Sequence, residues 1–351
     1  MMSSVLIFLT SGLFLGWSLG SNDAANVWGT AVGTRMVKFK TAALVCSIFV
    51  IAGAVISGSG ASHTIGKLGS ISALAGAFTV ALAAALSVYW MTKAALPVST
   101  SQAIVGAIIG WNLFSGTAVD VPALVKIVGT WVFSPILTAV FAVILYHLVA
   151  NGFRRIKIHL LRFDSYTRLL LIAAGAFGSY SLGANNIANV MGVFIESTGD
   201  VFTDISFGSF AVLTGVQQLF LLGGISIAVG VFTYSKKVMF TVGSDIYKLS
   251  PLAAFIVVVS SSIVLFLFAS QSLKDLLVAY NLPSFPLVPV SSSQSIVGGV
   301  IGVGLARGGR NLNLKVLGRI SFGWVATPVI AAVVSFVTLF IVQNVFAQTV
   351  F

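Results

Sequence analysis

Residues 18–29 read SLGSNDAANVWG, and residues 181–192 read SLGANNIANVMG. A second pair of matching stretches reads PVSTSQAIVG at 97–106 and PVSSSQSIVG at 289–298. All four place glycine, proline, amide or hydroxyl side chains inside segments that are otherwise apolar. Such residues are costly in a lipid bilayer unless they face a cavity or a ligand. Duplicated, interrupted segments of this kind are typical of the binding site of a secondary transporter.

The composition points to a membrane protein. Of 351 residues, 58% are hydrophobic and 8% are charged, whereas a soluble domain carries about 25% charged residues. No soluble fold could bury so much apolar surface, so the sequence predicts a polytopic membrane protein. The net charge of +11 would suggest nucleic acid binding in a soluble protein. Here the basic residues lie mostly in the loops that connect the apolar segments, so no nucleic acid partner is expected.

Apolar segments that could enter or cross a bilayer occur five times in each half. The predicted spans are residues 4–34, 41–60, 71–92, 97–117, 128–150, 169–195, 205–233, 251–270, 289–305 and 322–347. The first and sixth are expected to be broken in the middle by their Gly/Asn motifs. The fourth and ninth are short and glycine-rich, so either could be a re-entrant hairpin. The predicted fold is an all-α polytopic membrane protein with broken helices, re-entrant hairpins and about 10–12 membrane segments.

The basic residues set the expected orientation. With the N-terminus outside, only Lys67, Lys126 and Lys274 of the 19 Lys and Arg residues fall in outer loops. The other basic residues are then cytoplasmic, as the positive-inside rule requires. The sequence therefore predicts a multi-pass protein of the plasma membrane with both termini external.

An odd number of crossings per half turns the second half upside down relative to the first. We therefore predict an N-terminal repeat at 1–150, a basic cytoplasmic connector at 151–168 and a C-terminal inverted repeat at 169–351. A third, weaker echo supports this duplication, since WVFSPI at 131–136 returns as WVATPV at 324–329. The connector is expected to be solvated, and contact with anionic lipid is the alternative.

The Gly/Asn motifs suit an alkali cation. Asp23 is the only acidic residue between Met1 and Val119, and no Lys or Arg lies in its span. A bound cation would supply the missing counter-charge; otherwise the carboxyl group is protonated. The alternative is that these polar residues only join helices through hydrogen bonds. The candidate sodium ligands are Asn22, Asp23, Asn26, Asn185, Asn186, Asn189, Ser101 and Ser293.

The Pro/Ser motifs suit an oxyanion. Each places a proline and a run of hydroxyl side chains where a helix begins, and free backbone N–H groups at such a position favour anions. Helix capping without a ligand is the alternative. The candidate oxyanion ligands are Asp23, Asn26, Ser99, Thr100, Ser101, Gln102, Ser291, Ser292, Ser293 and Gln294. None of the four motifs contains Lys or Arg, so sodium ions could balance the anion's charge.

The four motifs together resemble the inorganic phosphate transporter family known as PiT, whose signature has the form Gly-Ala-Asn-Asp-Val-Ala-Asn-Ala in each half. GSNDAAN at 20–26 and GANNIAN at 183–189 match it, and the resemblance extends over nearly the whole chain. It implies symport of phosphate with sodium or protons, an inverted-repeat fold often assembled as a homodimer, and more helices than the ten spans above. Asn186 departs from the family pattern, which usually has Asp there.

We therefore expect a secondary active symporter that imports inorganic phosphate with sodium by alternating access. A proton-coupled phosphate or sulfate permease of the same fold is the alternative. A channel is less consistent with polarity that clusters at four points. An enzyme is not expected, because no nucleophile–base pair accompanies the motifs. The expected partners are phosphate, sodium, membrane lipid and a second copy of the chain, with no organic cofactor.

Overall fold

The computed structural model describes residues 2–69, 71–93, 98–154, 159–207, 211–242, 249–308 and 314–351. Pro97 and the basic residues Arg155, Lys157, Lys248 and Arg310 lie outside these ranges. The described part of the first half consists of helices α1 (Met2–Gly33), α2 (Phe39–Ser57), α3 (Ser59–Gly69), α4 (Leu74–Lys93), α5 (Thr100–Ser115) and α6 (Val121–Arg154).

The second half begins with α7 (Leu160–Met191), followed by two 3-10 turns around the short helix α8 (Ile195–Thr198). A two-stranded antiparallel hairpin, β1 (Ile205–Phe207) and β2 (Ala211–Leu213), comes next. The remaining helices are α9 (Gly215–Thr233), α10 (Ser235–Thr241), α11 (Pro251–Leu267), α12 (Gln271–Ala279), α13 (Ser292–Ala306) and α14 (Leu314–Asn344).

Several of the helices can cross a membrane. By length and composition, six helices among the described residues qualify: α1, α2, α4, α6, α9 and α14. The pair α11 and α12, bent by 72°, gives a seventh if it is counted as one span. The prediction of an all-α polytopic membrane protein is confirmed. The predicted connector at 151–168 is partly helical, since α6 continues to Arg154 and α7 starts at Leu160.

The prediction that the first and sixth spans break at their Gly/Asn motifs is wrong. Helices α1 and α7 run through residues 20–26 and 183–189 without interruption. Asn22 and Asp23 bond to side chains on other helices, so their polar groups do not compete for the backbone of α1. The breaks lie instead between α2 and α3 and between α11 and α12.

The predicted span at 205–233 is also too long. Its first part forms the β1–β2 hairpin, in which Ile205 pairs with Leu213, and α9 begins only at Gly215. Thr214 and Gln217 form a capping box that defines this start. The Asp204 carboxylate accepts a hydrogen bond from the Gly215 N–H, which ties the hairpin to the helix.

Helices α5 and α13 are short and begin inside the protein. They contain 16 and 15 residues, respectively, which corresponds to roughly 24 Å and 22 Å of rise. The hydrocarbon core is about 30 Å thick, so neither helix is long enough to cross it alone. Ser99 and Ser291 cap the two helices at their buried N-terminal ends.

Four helices of the described chain pack mainly against helices of the opposite half. Helix α1 packs against α9, and its counterpart α7 packs against α2. Helix α5 packs against α14, and its counterpart α13 packs against α6. Within each half, α4 packs against α1 and α11 packs against α7. The two halves are therefore packed against each other along most of their described helices.

Glycines bring helices of opposite halves into backbone contact, and one lies in each of the four motifs. In each case a methyl group at the glycine would overlap a backbone carbonyl oxygen of the facing helix. The contacts join Gly20 with Ile227, Gly183 with Val50, Gly106 with Pro328 and Gly298 with Pro135. Small residues at such crossings let transmembrane helices approach closely, which is the main source of their van der Waals attraction.

We predict that Gly106→Ala and Gly298→Ala each destabilise the protein. The added methyl group must displace a backbone carbonyl, and overpacking of this kind costs about 1–3 kcal/mol. Gly129→Ala in α6 is the matched control, since no atom lies within 4 Å of the added group. There the better helix propensity of alanine should raise stability by about 0.5–1 kcal/mol. Thermal unfolding of the purified protein in detergent measures both effects, and equal melting temperatures for all three variants would contradict the prediction.

Candidate functional site

The first half of the site joins the Gly/Asn motif of α1 to the start of α13. The Ser292 hydroxyl donates to Oδ2 of Asp23 at 2.9 Å. Asn26 Nδ2 donates to Oγ of the same serine at 3.5 Å. These three side chains come from opposite halves of the sequence, and both Asp23 and Ser292 are buried. Motifs that are 266 residues apart at Asn26 and Ser292 therefore meet in space.

The second half of the site joins α7 to the start of α5. Asn189 Nδ2 donates to Oγ of Ser101 at 2.8 Å, and Ser101 in turn donates to the carbonyl of Val290 at 3.1 Å. Asn189 is the counterpart of Asn26, and Ser101 belongs to the first Pro/Ser motif. The bond to Val290 links the two Pro/Ser motifs directly. The structure thus brings all four motifs into one buried cluster.

The hydroxyl groups predicted to form one cradle divide into two kinds. Ser99 and Ser291 accept backbone N–H groups from Gln102 and Gln294, both at 3.3 Å, so they are helix caps. Ser293 is hydrogen bonded to Ser291 at 3.1 Å. Thr100, Ser101 and Ser292 lie beyond the caps and are free of that role. Capping therefore accounts for only part of the hydroxyl runs.

Asn185 holds the chain that leads into α13. Its Oδ1 accepts the Val290 N–H at 2.8 Å, and its Nδ2 donates to the carbonyls of Val288 and Leu265. The amide is therefore already fully engaged with backbone groups. Its counterpart Asn22 is half-buried. Among the described residues its Nδ2 makes one hydrogen bond, which it donates to Oγ1 of Thr92 at 2.9 Å.

Asn186 takes the place that Asp23 occupies in the other half. Its Nδ2 donates to the Leu182 carbonyl at 3.2 Å, and its Oδ1 accepts from Asn189 at 3.0 Å. The neutral amide thus bonds within α7, whereas the Asp23 carboxylate bonds across to α13. The two halves of the site have matching positions but unequal charge.

Several oxygen atoms at the site are buried without a hydrogen-bond partner. They are Asp23 Oδ1, Thr100 Oγ1, Gln102 Oε1, Asn189 Oδ1 and Gln294 Oε1. Unpaired buried acceptors are expensive, and a carboxylate oxygen is the most expensive of them. Within the described residues, Asp23 is paired with a serine hydroxyl and with no basic side chain. Carboxylate and amide oxygens of this kind fit a cation or the proton of a protonated ligand.

An aromatic cluster lies against the first Gly/Asn motif. The Trp17 ring is 6.3 Å from Tyr89 and 5.7 Å from Tyr234, measured between ring centroids. The Lys93 ammonium sits 5.0 Å from the Tyr89 centroid. These residues line a narrow cavity together with Ser18 and Thr92, and the hydrogen bond of Thr92 to Asn22 links the cavity to the site.

A matching aromatic cluster lies against the second motif. Phe266 is 6.0 Å from Phe177 and 6.3 Å from Tyr180. The Tyr180 hydroxyl is hydrogen bonded to Ser57 at 2.7 Å. Sequence reasoning missed both clusters and Thr92. The aromatic residues could have been found, because Phe14 and Trp17 precede the first motif at the same spacing as Phe177 and Tyr180 precede the second.

Polar motifs that meet in the interior of a bundle of apolar helices, several of them long enough to cross a membrane, are typical of a multi-pass membrane permease. The chain belongs to the phosphate transporter family, whose sequence profile matches residues 19–335 and 281–350. The resemblance seen in the motifs is therefore confirmed.

Individual relatives cover nearly the whole chain. A protein of Methanocaldococcus jannaschii, named provisionally as a phosphate permease, is 29% identical over 334 residues, which cover 95% of this chain and 96% of the relative. The sulfate permease CysP of Bacillus subtilis is 29% identical over 347 residues, which cover 94% and 86%. A solved structure of a sodium-dependent phosphate transporter matches with a TM-score of 0.76 at 24% identity, over 97% of this chain and 98% of that one. This last match shows a shared fold.

We predict that Asn185→Ala lowers stability more than Asn22→Ala. The first change leaves the buried Val290 N–H without an acceptor, which costs about 1–3 kcal/mol, whereas the second removes one half-exposed bond worth about 1 kcal/mol or less. Melting temperatures of the two purified variants give the comparison. An Asn22 variant as unstable as the Asn185 variant would show that Asn185 does not hold the chain before α13.

Proposed function

We propose that this protein is a secondary active symporter that imports inorganic phosphate together with sodium ions by alternating access. The observation that carries the proposal is the buried cluster in which Asp23 and Asn26 meet Ser292 while Asn189 meets Ser101. Membership of the phosphate transporter family favours phosphate as the substrate. The structural neighbour named as sodium-dependent favours sodium as the coupling ion.

The cation is proposed to bind among the oxygens of the Gly/Asn motifs. Asp23 Oδ1 and Asn189 Oδ1 are buried and unpaired, and alkali cations prefer such hard oxygen ligands. The further candidates from the sequence are Asn22, Asn26, Asn185, Asn186, Ser101 and Ser293. Because Asn186 replaces a carboxylate, only the Asp23 side of the site offers a negative charge to the cation.

The phosphate is proposed to bind at the starts of α5 and α13. Both helices begin in the interior, so their free N–H groups and the positive ends of their dipoles are directed into the site. The Thr100 hydroxyl is unpaired and can donate to the anion. The hydroxyls of Ser101 and Ser292 donate to the Val290 carbonyl and to Asp23 in this structure, and they would turn to the anion when it binds. Uncharged donors hold an anion without the strong ion pair that an arginine would make, which suits a substrate that must be released.

Alternating access is proposed to move the two halves against each other. The exchanged packing of α1 with α9 and of α7 with α2 supports two inverted repeats, at 1–150 and 169–351, around the site. The two aromatic clusters would then lie on opposite sides of the membrane and open in turn. The first cluster, which contains Lys93, would be the cytoplasmic one, with both termini external and the basic connector at 151–168 inside.

A homodimer in the plasma membrane is part of the proposal. Helices α6 and α14 leave most of their apolar surface exposed, which can be covered by lipid or by a second copy of the chain. Lipid alone could cover these apolar faces equally well. The proposal of a dimer therefore rests on the resemblance to the family. The molecular mass in native mass spectrometry from detergent tests it directly.

A proton-coupled permease, or one that prefers sulfate, is the second candidate. The similarity to the sulfate permease CysP favours it on the side of the substrate. On the side of the coupling ion, Asp23 could carry a proton in place of bound sodium, because its carboxylate has no basic partner in the described chain.

Uptake into proteoliposomes separates these candidates. Sodium and pH gradients are imposed one at a time, and labelled phosphate is followed with unlabelled sulfate as competitor. We expect an inward sodium gradient at uniform pH to drive phosphate accumulation and a pH gradient alone to drive none. Accumulation on the pH gradient alone would favour the proton-coupled candidate, and loss of phosphate uptake at equimolar sulfate would favour the sulfate candidate.

We predict that Asp23→Asn raises the sodium concentration needed for half-maximal uptake by roughly tenfold or more, because it removes the one carboxylate from the proposed cation site. Folding should be little affected, since the amide keeps the shape of the side chain. Asp275→Asn is the control, because Asp275 is exposed and bonds only to Gln271 among the residues described. Sodium activation of Asp23→Asn that equals that of the control would mean that the carboxylate has a structural role only.

We predict that the six hydroxyl variants fall into two groups. Ser101→Ala and Ser292→Ala should lower phosphate affinity by roughly one to two decades, because each loses a hydrogen bond to a charged ligand worth about 1.5–3 kcal/mol. Ser99→Ala and Ser291→Ala should instead lower stability by about 0.5–2 kcal/mol through loss of a cap. Thr100→Ala should lower phosphate affinity as the first group does. Ser293→Ala should lower it by a smaller factor. Calorimetry and melting curves on the same proteins separate the groups, and uniform behaviour of all six would contradict this division.

A further inference from the structure

The repeated WVFSP and WVATP stretches place two unpaired donors in the bundle. Nε1 of Trp131 in α6 and Nε1 of Trp324 in α14 are buried and have no hydrogen-bond partner. Three other tryptophans are satisfied, since Trp17 donates to Thr233, Trp28 to Ser179 and Trp111 to the Val350 carbonyl. An unpaired buried N–H is costly, and its occurrence at the same position of both repeats points to a shared purpose.

The packing of the helices places Trp131 and Trp324 beside the starts of α13 and α5. Gly298 of α13 contacts Pro135 of α6, and one turn later Gly302 contacts Ala139. The two helices therefore run in the same direction along their contact, with steps of four residues in each. One turn before the first contact, Gln294 and Trp131 lie at the same level.

The other repeat has the same arrangement. Gly106 of α5 contacts Pro328 of α14, and Gly110 contacts Ala332. One turn earlier lie Gln102 and Trp324. The Oε1 atoms of Gln102 and Gln294 are themselves buried and unpaired. From this register we infer that, on each side of the site, an unpaired indole N–H and an unpaired amide oxygen lie at one level, near the hydroxyl-rich start of a short helix.

We propose that Trp131 and Trp324 are further binding residues for the transported anion, and that with Gln102 and Gln294 they recognise a protonated tetrahedral oxyanion. This inference rests on the proposed function. Indole N–H is a donor only, so its ligand must be an acceptor. The glutamine oxygens are acceptors, so the same ligand must also donate. Hydrogen phosphate has both kinds of oxygen, whereas sulfate at neutral pH has no proton to give.

The affinity test uses Trp131→Phe and Trp324→Phe, which keep an aromatic ring and remove the N–H group. Binding of labelled inorganic phosphate is measured by equilibrium dialysis at saturating sodium. We expect each variant to bind phosphate roughly tenfold or more weakly, without a lower melting temperature of the ligand-free protein. The matched control is Trp111→Phe, whose N–H is already bonded to Val350. It should melt at a lower temperature and bind phosphate normally.

A second measurement does not depend on how the variants fold. The protein is labelled with 15N-tryptophan, and the indole N–H resonances are recorded with and without phosphate or sulfate. The resonances of Trp131 and Trp324 should shift to lower field with phosphate and much less with sulfate, while those of Trp28 and Trp111 stay in place. The two Phe variants assign the resonances; where a variant does not fold, site-specific labelling assigns them.

The outcomes separate the inference from the proposed function. If Ser101→Ala and Ser292→Ala weaken phosphate binding but the tryptophan variants and resonances are unaffected, water occupies the indole donors and the inference is wrong. If phosphate and sulfate shift both indole resonances equally, selection of a protonated anion is wrong. If the unmodified protein binds no phosphate at all, the proposed function fails and the inference fails with it.

Discussion

A carboxylate buried among apolar helices is the constraint on which the rest of this structure depends. Asp23 has no basic partner in the described chain, and a serine from the other half of the sequence supplies its one hydrogen bond. Burial of such a group is tolerable only when its remaining oxygen meets a ligand or a proton. We therefore propose that a ligand or a proton completes the polar cluster around Asp23.

That cluster exists only because helices from opposite halves come unusually close. Gly20, Gly183, Gly106 and Gly298 each lie against a backbone carbonyl of the facing helix, and no other side chain could fit there. The contacts join α1 to α9, α7 to α2, α5 to α14 and α13 to α6, so each helix that carries a motif packs against a helix of the other half. We propose that a movement of one half against the other changes the site and the aromatic clusters together, which would link binding to access.

The sequence was sufficient for those features that its composition and its duplicated motifs reveal. The all-α membrane fold, the family and the four polar motifs all followed from composition and duplication. It failed where a residue's role depends on its neighbours. Gly20 was expected to break a helix, but it lies at a close crossing, and residues 205–207 and 211–213 were expected to lie in a membrane span, but they form two paired strands. That Asn185 is a cation ligand stays a prediction, and the structure adds that its amide bonds to Val290, Val288 and Leu265.

By itself, the sequence determined that this is a membrane permease of the phosphate transporter family with a duplicated polar site, because burying polar groups in lipid is costly enough to mark them in any apolar sequence. The tertiary structure alone decided which motif meets which. It separated the serines that cap α5 and α13 from Ser101 and Ser292, which bond across to the other motifs, and it revealed the unpaired N–H groups of Trp131 and Trp324. Whether a polar atom is satisfied depends on contacts between residues far apart in the chain, and no local pattern contains that information.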